Sequence, residues 1–218
     1  MPLNIWLSSL FILSALLTSS FSIAGGQELK INIKRSFHGV SLRGEIDYRQ
    51  KEGNLFSRHY DAGIRLPIPT FGEGWSFGAH YRAIYTPAAR TGWDLEKRPY
   101  IQLQKAFTTK QTAWLPNIKW AIRTRQESRF RQNKDNSRRN RVRIYLKYLK
   151  PLWGGSPFLA NEYYYDFRKD KLTKARLDIG LEFSKIAGIK PSLYYKYTRT
   201  YKNRHWAPYS ALVLKLSF

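Results

Sequence analysis

A chain of 218 residues with no cysteine, fifteen Tyr and seven Trp is the size of one domain and owes nothing to disulfides. Its 16% aromatic content excludes a disordered polymer. Its mean hydropathy of −0.51 excludes a bundle of membrane helices, which needs repeated apolar runs of about 20 residues. The net charge of +23 calls for anionic surroundings: nucleic acid, lipopolysaccharide phosphates or acidic solutes.

The first element is a leader. Leu3 to Ile23 contains no Lys, Arg, Asp or Glu, and Ser22 and Ala24 are small residues at −3 and −1 of a cut after Ala24. This pattern predicts a cleaved signal peptide over 1–24 and a mature domain over 25–218. The missing basic residue before the apolar run leaves an uncleaved anchor as the competing reading. Export argues against a nucleic-acid partner.

After Gly26 the chain reads as short segments of alternating character separated by polar or Gly/Pro turns, which is the period-2 pattern of strands. Val40, Leu42, Gly44, Ile46 and Tyr48 share one face, and Ser41, Arg43, Glu45, Asp47 and Arg49 the other. Tyr60, Ala62, Ile64 and Leu66 oppose His59, Asp61 and Arg65; Trp75 to Tyr85 alternates with Ser76, Gly78, His80 and Arg82. Ile101 and Leu103 oppose Gln102 and Gln104. Later strands are cleaner: Ile118 to Thr124 against Lys119 to Arg129, Val142 to Tyr148 against Arg139 to Lys147, and Ala175 to Phe183 against Lys174 to Glu182. Tyr163 and Phe167 oppose Glu162 and Asp166, and Leu193 and Tyr195 oppose Tyr194 and Lys196. Leu212, Leu214, Leu216 and Phe218 close the chain, an ending that resembles the strand signal read by the barrel-assembly machinery.

A soluble β-sandwich also alternates. Here the apolar faces carry Trp75, Tyr85, Trp120, Tyr148 and Tyr163 near strand ends, which suits two interfacial aromatic belts. The expected fold is therefore all-β: an antiparallel up-and-down transmembrane β-barrel in a bacterial outer membrane. Eleven segments can be counted if Leu29, Ile31 and Ile33 form the first. Bacterial single-chain barrels have even strand numbers, so ten strands from Val40 to Phe218 are expected, with twelve as the alternative. With the C-terminus in the periplasm, the turns near Asn203, Lys169 to Leu172 and Asn133 to Asn136 fall outside, as does a long loop from Pro87 to Glu96.

Charge concentrates in Arg123, Arg125, Glu127 and Arg129, followed after a turn by Arg139, Arg141 and Arg143, then by Glu162, Arg176, Asp178 and Glu182. Alternation sends all of them to one side. A charge facing lipid at the midplane costs about 2–4 kcal/mol, so that side is the lumen. The seven arginines would supply a positive field that prefers anions, and Glu127, Glu162, Asp178 and Glu182 would hold them in place. A narrow lumen filled by the same ion pairs would instead give a closed structural barrel. Basic residues nearer the turns, Arg131, Lys134, Arg138, Lys169, Lys171, Lys202 and Arg204, could meet lipopolysaccharide phosphates. Of four histidines, His59 and His80 face inward without a catalytic signature. No catalytic residue, cofactor or metal site is expected, and a lipid A-modifying enzyme is the distant alternative.

The run Ile122-Arg123-Thr124-Arg125-Gln126-Glu127-Ser128-Arg129-Phe130, then Arg139 to Arg143, Asn161 to Tyr165 and Arg176 to Phe183, resembles the domain of unknown function 2490 family. The resemblance covers most of the mature chain and implies an outer-membrane barrel without implying an activity. The arginine-lined interior is also similar in character to oligogalacturonate-specific porins, though no motif matches. The expectation is a small anion-preferring channel, with outer membrane, lipopolysaccharide and anionic solutes as partners.

Overall fold

A computed structural model describes residues 25–88, 92–109, 117–132 and 134–218. The expected signal peptide lies outside the described residues. Eleven strands close into one barrel: β1 (Gln27–Phe37), β2 (Val40–Lys51), β3 (Asn54–Pro67), β4 (Trp75–Ala88), β5 (Gly92–Thr108), β6 (Ile118–Arg131), β7 (Lys134–Tyr148), β8 (Gly155–Asp166), β9 (Lys171–Phe183), β10 (Lys190–Lys202) and β11 (His205–Ser217). Each pairs antiparallel with the next, apart from the β1–β11 junction, which is parallel. No helix is long and apolar enough to cross a membrane, which says nothing about crossing by strands.

The expected ten or twelve strands give way to eleven, and the reason is the first segment. Gln27–Phe37 has its own alternation, with Leu29, Ile31 and Ile33 outward and Glu28, Lys30 and Asn32 inward, and it runs antiparallel to β2 from Phe37↔Val40 to Gln27↔Gln50. The His38-Gly39 turn that joins them has positive φ at both residues, the tight geometry that matches strand twist. With an odd count, the first and last strands must point the same way, so closure is parallel. The parallel junction holds six residue pairs, Gln27↔Leu212 to Asn32↔Ser217. Pro208 of β11 lies beyond it, on the stretch of edge that β1 does not reach, where its missing N–H costs no ladder bond.

Parallel closure puts the two termini of the barrel at opposite ends. Phe218 shares its end with the turns at 38–39, 68–74, 149–154 and 184–189; Gln27 shares the other with those at 52–53, 167–170 and 203–204. Within the expected Pro87 to Glu96 loop, residues 87–88 and 92–96 are strand, because Pro87 pairs with Trp93 and Ala88 with Gly92; residues 89–91 lie outside the described residues. Pro87 and Gly92 read as a loop locally, yet the pairing of their neighbours carries both strands through them.

The alternation holds around the barrel. Leu42, Ile64, Ile101, Ile122, Ile144 and Ile179 are exposed on the outer face, whereas Asp47, Glu127, Glu162, Asp178 and Arg141 are buried inside. Outward aromatics gather at two levels. Trp75, Phe107, Trp120 and Tyr148 lie toward the Phe218 end, and Tyr48, Tyr60, Tyr85 and Trp93 toward the Gln27 end. Three bulges, at Arg49/Gln50, Arg129/Arg131 and Tyr164/Tyr165, all lie toward the Gln27 end, where they re-aim side chains at the rim.

Candidate functional site

The interior divides into two halves. Phe158 and Tyr194, toward the Phe218 end, form an apolar cluster with Ala211 and Val213, against which Tyr145 and Tyr209 pack. Phe158 and Tyr194 belong to strands either side of β9, and their rings meet 5.5 Å apart over Gly180. A Cβ on Gly180 would lie 2.2 Å from the Leu193 carbonyl oxygen and 2.3 Å from Tyr194 Cβ, so only glycine lets the rings close there. Below them Glu182 accepts from Lys147 (2.6 Å), Lys190 (2.7 Å) and the Tyr145 hydroxyl (2.8 Å). On the facing wall Arg65 donates to Gln104, and Arg43 and Lys119 point inward without a carboxylate within 4 Å among the described residues.

Toward the Gln27 end the barrel is hollow. A cavity of about 1170 Å³ opens there, and its floor lies at the level of Lys30, Glu45, Arg82, Arg123 and Arg143. None of Arg43, Arg65, Lys119, Lys147 or Lys215 lines it. Eighteen cationic side chains and four carboxylates line the cavity. Six more carboxylates, Glu28, Asp47, Asp61, Glu127, Glu162 and Asp178, sit directly behind them, and the cations still outnumber these carboxylates.

The carboxylates organise the wall. Glu127 is held by Arg139 and Arg141, each at 2.5 Å, with Arg125 at 3.6 Å and Arg98 at 3.9 Å. Glu162 accepts from Arg141 at 2.8 Å, Arg123 at 3.2 Å and the Tyr164 hydroxyl at 2.7 Å. Asp178 pairs with Arg176 at 2.5 Å and Arg143 at 3.3 Å; Glu96 bridges Arg98 and Arg129 at 2.5 and 2.6 Å. Cross-strand neighbours make this possible, since Arg143 pairs with Glu162 and Glu162 with Arg176 in the register. Such multiply bonded carboxylates lock guanidinium planes that would otherwise swing freely.

All seven arginines expected from the sequence, Arg123, Arg125, Arg129, Arg139, Arg141, Arg143 and Arg176, line this one cavity, with Glu127, Glu162 and Asp178 behind them. Glu182 lies apart from them and holds lysines. The sequence reading missed Arg49, Arg82, Arg98, Lys174 and Lys196 as cavity residues, although the same alternation pointed to them. It placed Arg131, Lys134, Lys169 and Lys202 on loops, and they form the mouth of the cavity.

Residues 15–207 match the family described as Protein of unknown function (DUF2490). The chain belongs to this family. No curated protein matches its sequence.

In this DUF2490 barrel one constellation has the outline of a hydrolytic triad. Ser57 Oγ is 2.8 Å from His59 Nε2, and Asp47 lies 3.5 Å from His59 Nδ1. Arg49 decides against it. Its Nη2 is 3.2 Å from His59 Nδ1 and 2.6 Å from Asp47. A guanidinium only donates, so Nδ1 is the acceptor nitrogen and the ring proton sits on Nε2, from which it is donated to Ser57. A histidine in that tautomer cannot take the serine proton. His80 bonds Asp61 at 3.0 Å and stacks on Tyr100 at 4.8 Å, where Arg82 and the Tyr100 hydroxyl share the same carboxylate. No cluster of His, Cys, Asp and Glu suited to a metal is present among the described residues.

Proposed function

We propose that the protein is a non-enzymatic outer-membrane barrel, exported by a cleaved signal peptide over 1–24, that admits anions through an arginine-lined lumen. The observation that carries this reading is the surplus of positive charge on a cavity open at one end. Carboxylates behind the arginines fix them without neutralising them, and low-dielectric walls focus the field inward. Inward cations without carboxylates at the other end, Arg43 and Lys119, extend the same potential toward the second mouth. The outward aromatics at two levels suit the two faces of a bilayer, and strands of 11–17 residues meet the roughly 9–11 that a tilted crossing needs.

A second reading is favoured by the Phe158–Tyr194 contact, which narrows the lumen below the cavity: a closed barrel whose cup serves the envelope or meets lipopolysaccharide phosphates. Purified protein in planar bilayers under a KCl gradient separates the two. The channel reading expects discrete steps with a reversal potential displaced toward the chloride equilibrium value. A silent bilayer at full incorporation ends it and leaves the closed cup.

A further inference from the structure

Several donors around the cavity lack acceptors. Arg125, 5% exposed, donates from Nη2 to Gln102 and lies beside Glu127 and the Tyr100 ring, yet its Nε and Nη1 make no hydrogen bond, and neither does the Nε of Arg141, which is 6% exposed. Lys174 faces inward with no carboxylate within 4 Å among the described residues. Its ammonium shares the ring of Tyr164 with Arg139 and Arg141, at 5.2, 4.8 and 4.6 Å to the centroid. Arg131, at the mouth, reaches only the Ser137 hydroxyl.

Buried donors and clustered like charges are both costly unless something supplies oxygens and negative charge together. Water offers the first and not the second. Chloride offers one charge and no geometry. Two cations without a carboxylate stand on different strands, Arg131 on β6 and Lys174 on β9. One anion carrying several oxyanion groups bridges them while surrendering the translational freedom of a single molecule. The cavity volume of about 1170 Å³ is ample for a compact organic ligand, whose pockets commonly span about 300–1,000 Å³.

We propose that the cup is a binding site for a compact polyvalent oxyanion, bearing three or more phosphate or carboxylate groups, held at the mouth by Lys174 and Arg131. This rests on the anion-admitting lumen and adds a ligand class to it. The oxyanion groups sit over the Tyr164 wall, and its cations Arg139 and Arg141 stay tied to Glu127 as the scaffold.

The test is calorimetry on the full chain refolded in uncharged detergent, titrated with inorganic triphosphate and, separately, citrate, at about 0.15 M KCl so that general charge attraction is screened. Saturable binding of either at one per barrel is expected, and whichever binds names phosphate or carboxylate as the chemistry. The double variant Lys174→Gln/Arg131→Gln removes no ion pair of the wall, so the barrel still forms, and it should weaken binding at least tenfold. Equal affinity in the variant, or no binding above chloride by either probe, overturns the site. Anion current without such binding would keep the channel and end this inference. Binding without current would do the reverse.

Discussion

Lys196 of β10 reaches over β11 to the carboxylate of Glu28 on β1. Two features of β11 permit this. Ala211, the cross-strand neighbour of Lys196, is fully buried and short, and Val213, the neighbour of Glu28, is likewise fully buried. Arg49 lies 3.6 Å from the same carboxylate. The weakest junction of the barrel, six parallel pairs, is thus clamped from the lumen side by charges that skip a strand. Glu28→Gln strips the clamp and leaves Lys196 buried without a countercharge. Breaking a buried pair from one side costs about 3–5 kcal/mol, so the urea midpoint of the refolded barrel should fall markedly. Ala211→Leu, which fills the path of Lys196, should move it the same way. Lys190→Gln, at the more exposed Glu182 pair, should cost at most about 1 kcal/mol. Equal midpoints for Glu28→Gln and Lys190→Gln would remove the clamp.

The aromatic contact over Gly180 gives an independent handle on the narrow half. Phe158→Ala with Tyr194→Ala removes both rings and leaves the arginine wall untouched. If the channel reading is right, single-channel conductance rises severalfold and the reversal potential stays displaced toward chloride, because aperture and charge are set by different residues. A rise in conductance accompanied by loss of anion preference would show that the rings, and not the arginines, set selectivity. Gly180→Ala should act in the opposite sense on folding: its Cβ has no free space, and overpacking of this kind costs about 1–3 kcal/mol.

What the sequence made legible follows from range. Facing is a local property: period 2 tells Arg123 from Ile122 without knowledge of the partner strand, and every residue of the arginine cluster was readable for that reason. Closure is not local. The alternation of Leu29, Ile31 and Ile33 was visible, but nothing near them states that β1 ends beside β11, so parity misled the count. Glu96 was lost to an expected loop because Pro87 and Gly92 carry turn signals that the β4–β5 pairing overrides. The Lys196–Glu28 clamp joins residues from opposite ends of the chain, and its only local trace is a small residue, Ala211, on an inward face.

The Ser57–His59–Asp47 outline sets up a test of the non-enzymatic reading. With Arg49 donating to Nδ1, His59 is a donor to Ser57 and a structural member of the wall. Ser57→Ala and His59→Gln should therefore leave lipid A acylation and phosphorylation unchanged in cells that express the protein, as read by mass spectrometry of extracted lipid. A changed acyl pattern that disappears in either variant would establish catalysis and displace the channel reading.

Orientation is open to a direct measurement because the chain has no cysteine of its own. The cup opens at the Gln27 end, with the Asn203-Arg204 turn at its rim, and the Ala187-Gly188 turn lies at the Phe218 end. On the proposed outer-membrane reading, a C-terminal strand that finishes in the periplasm would put the cup on the outside, facing solutes and lipopolysaccharide phosphates. Asn203→Cys should then react in intact cells with a maleimide that cannot cross the membrane, and Ala187→Cys should react only after the outer membrane is opened. Both turns have positive φ, so the comparison is between sites of similar backbone strain. Labelling in the opposite order would turn the cup toward the periplasm and make it a trap for anions that have already crossed by another route.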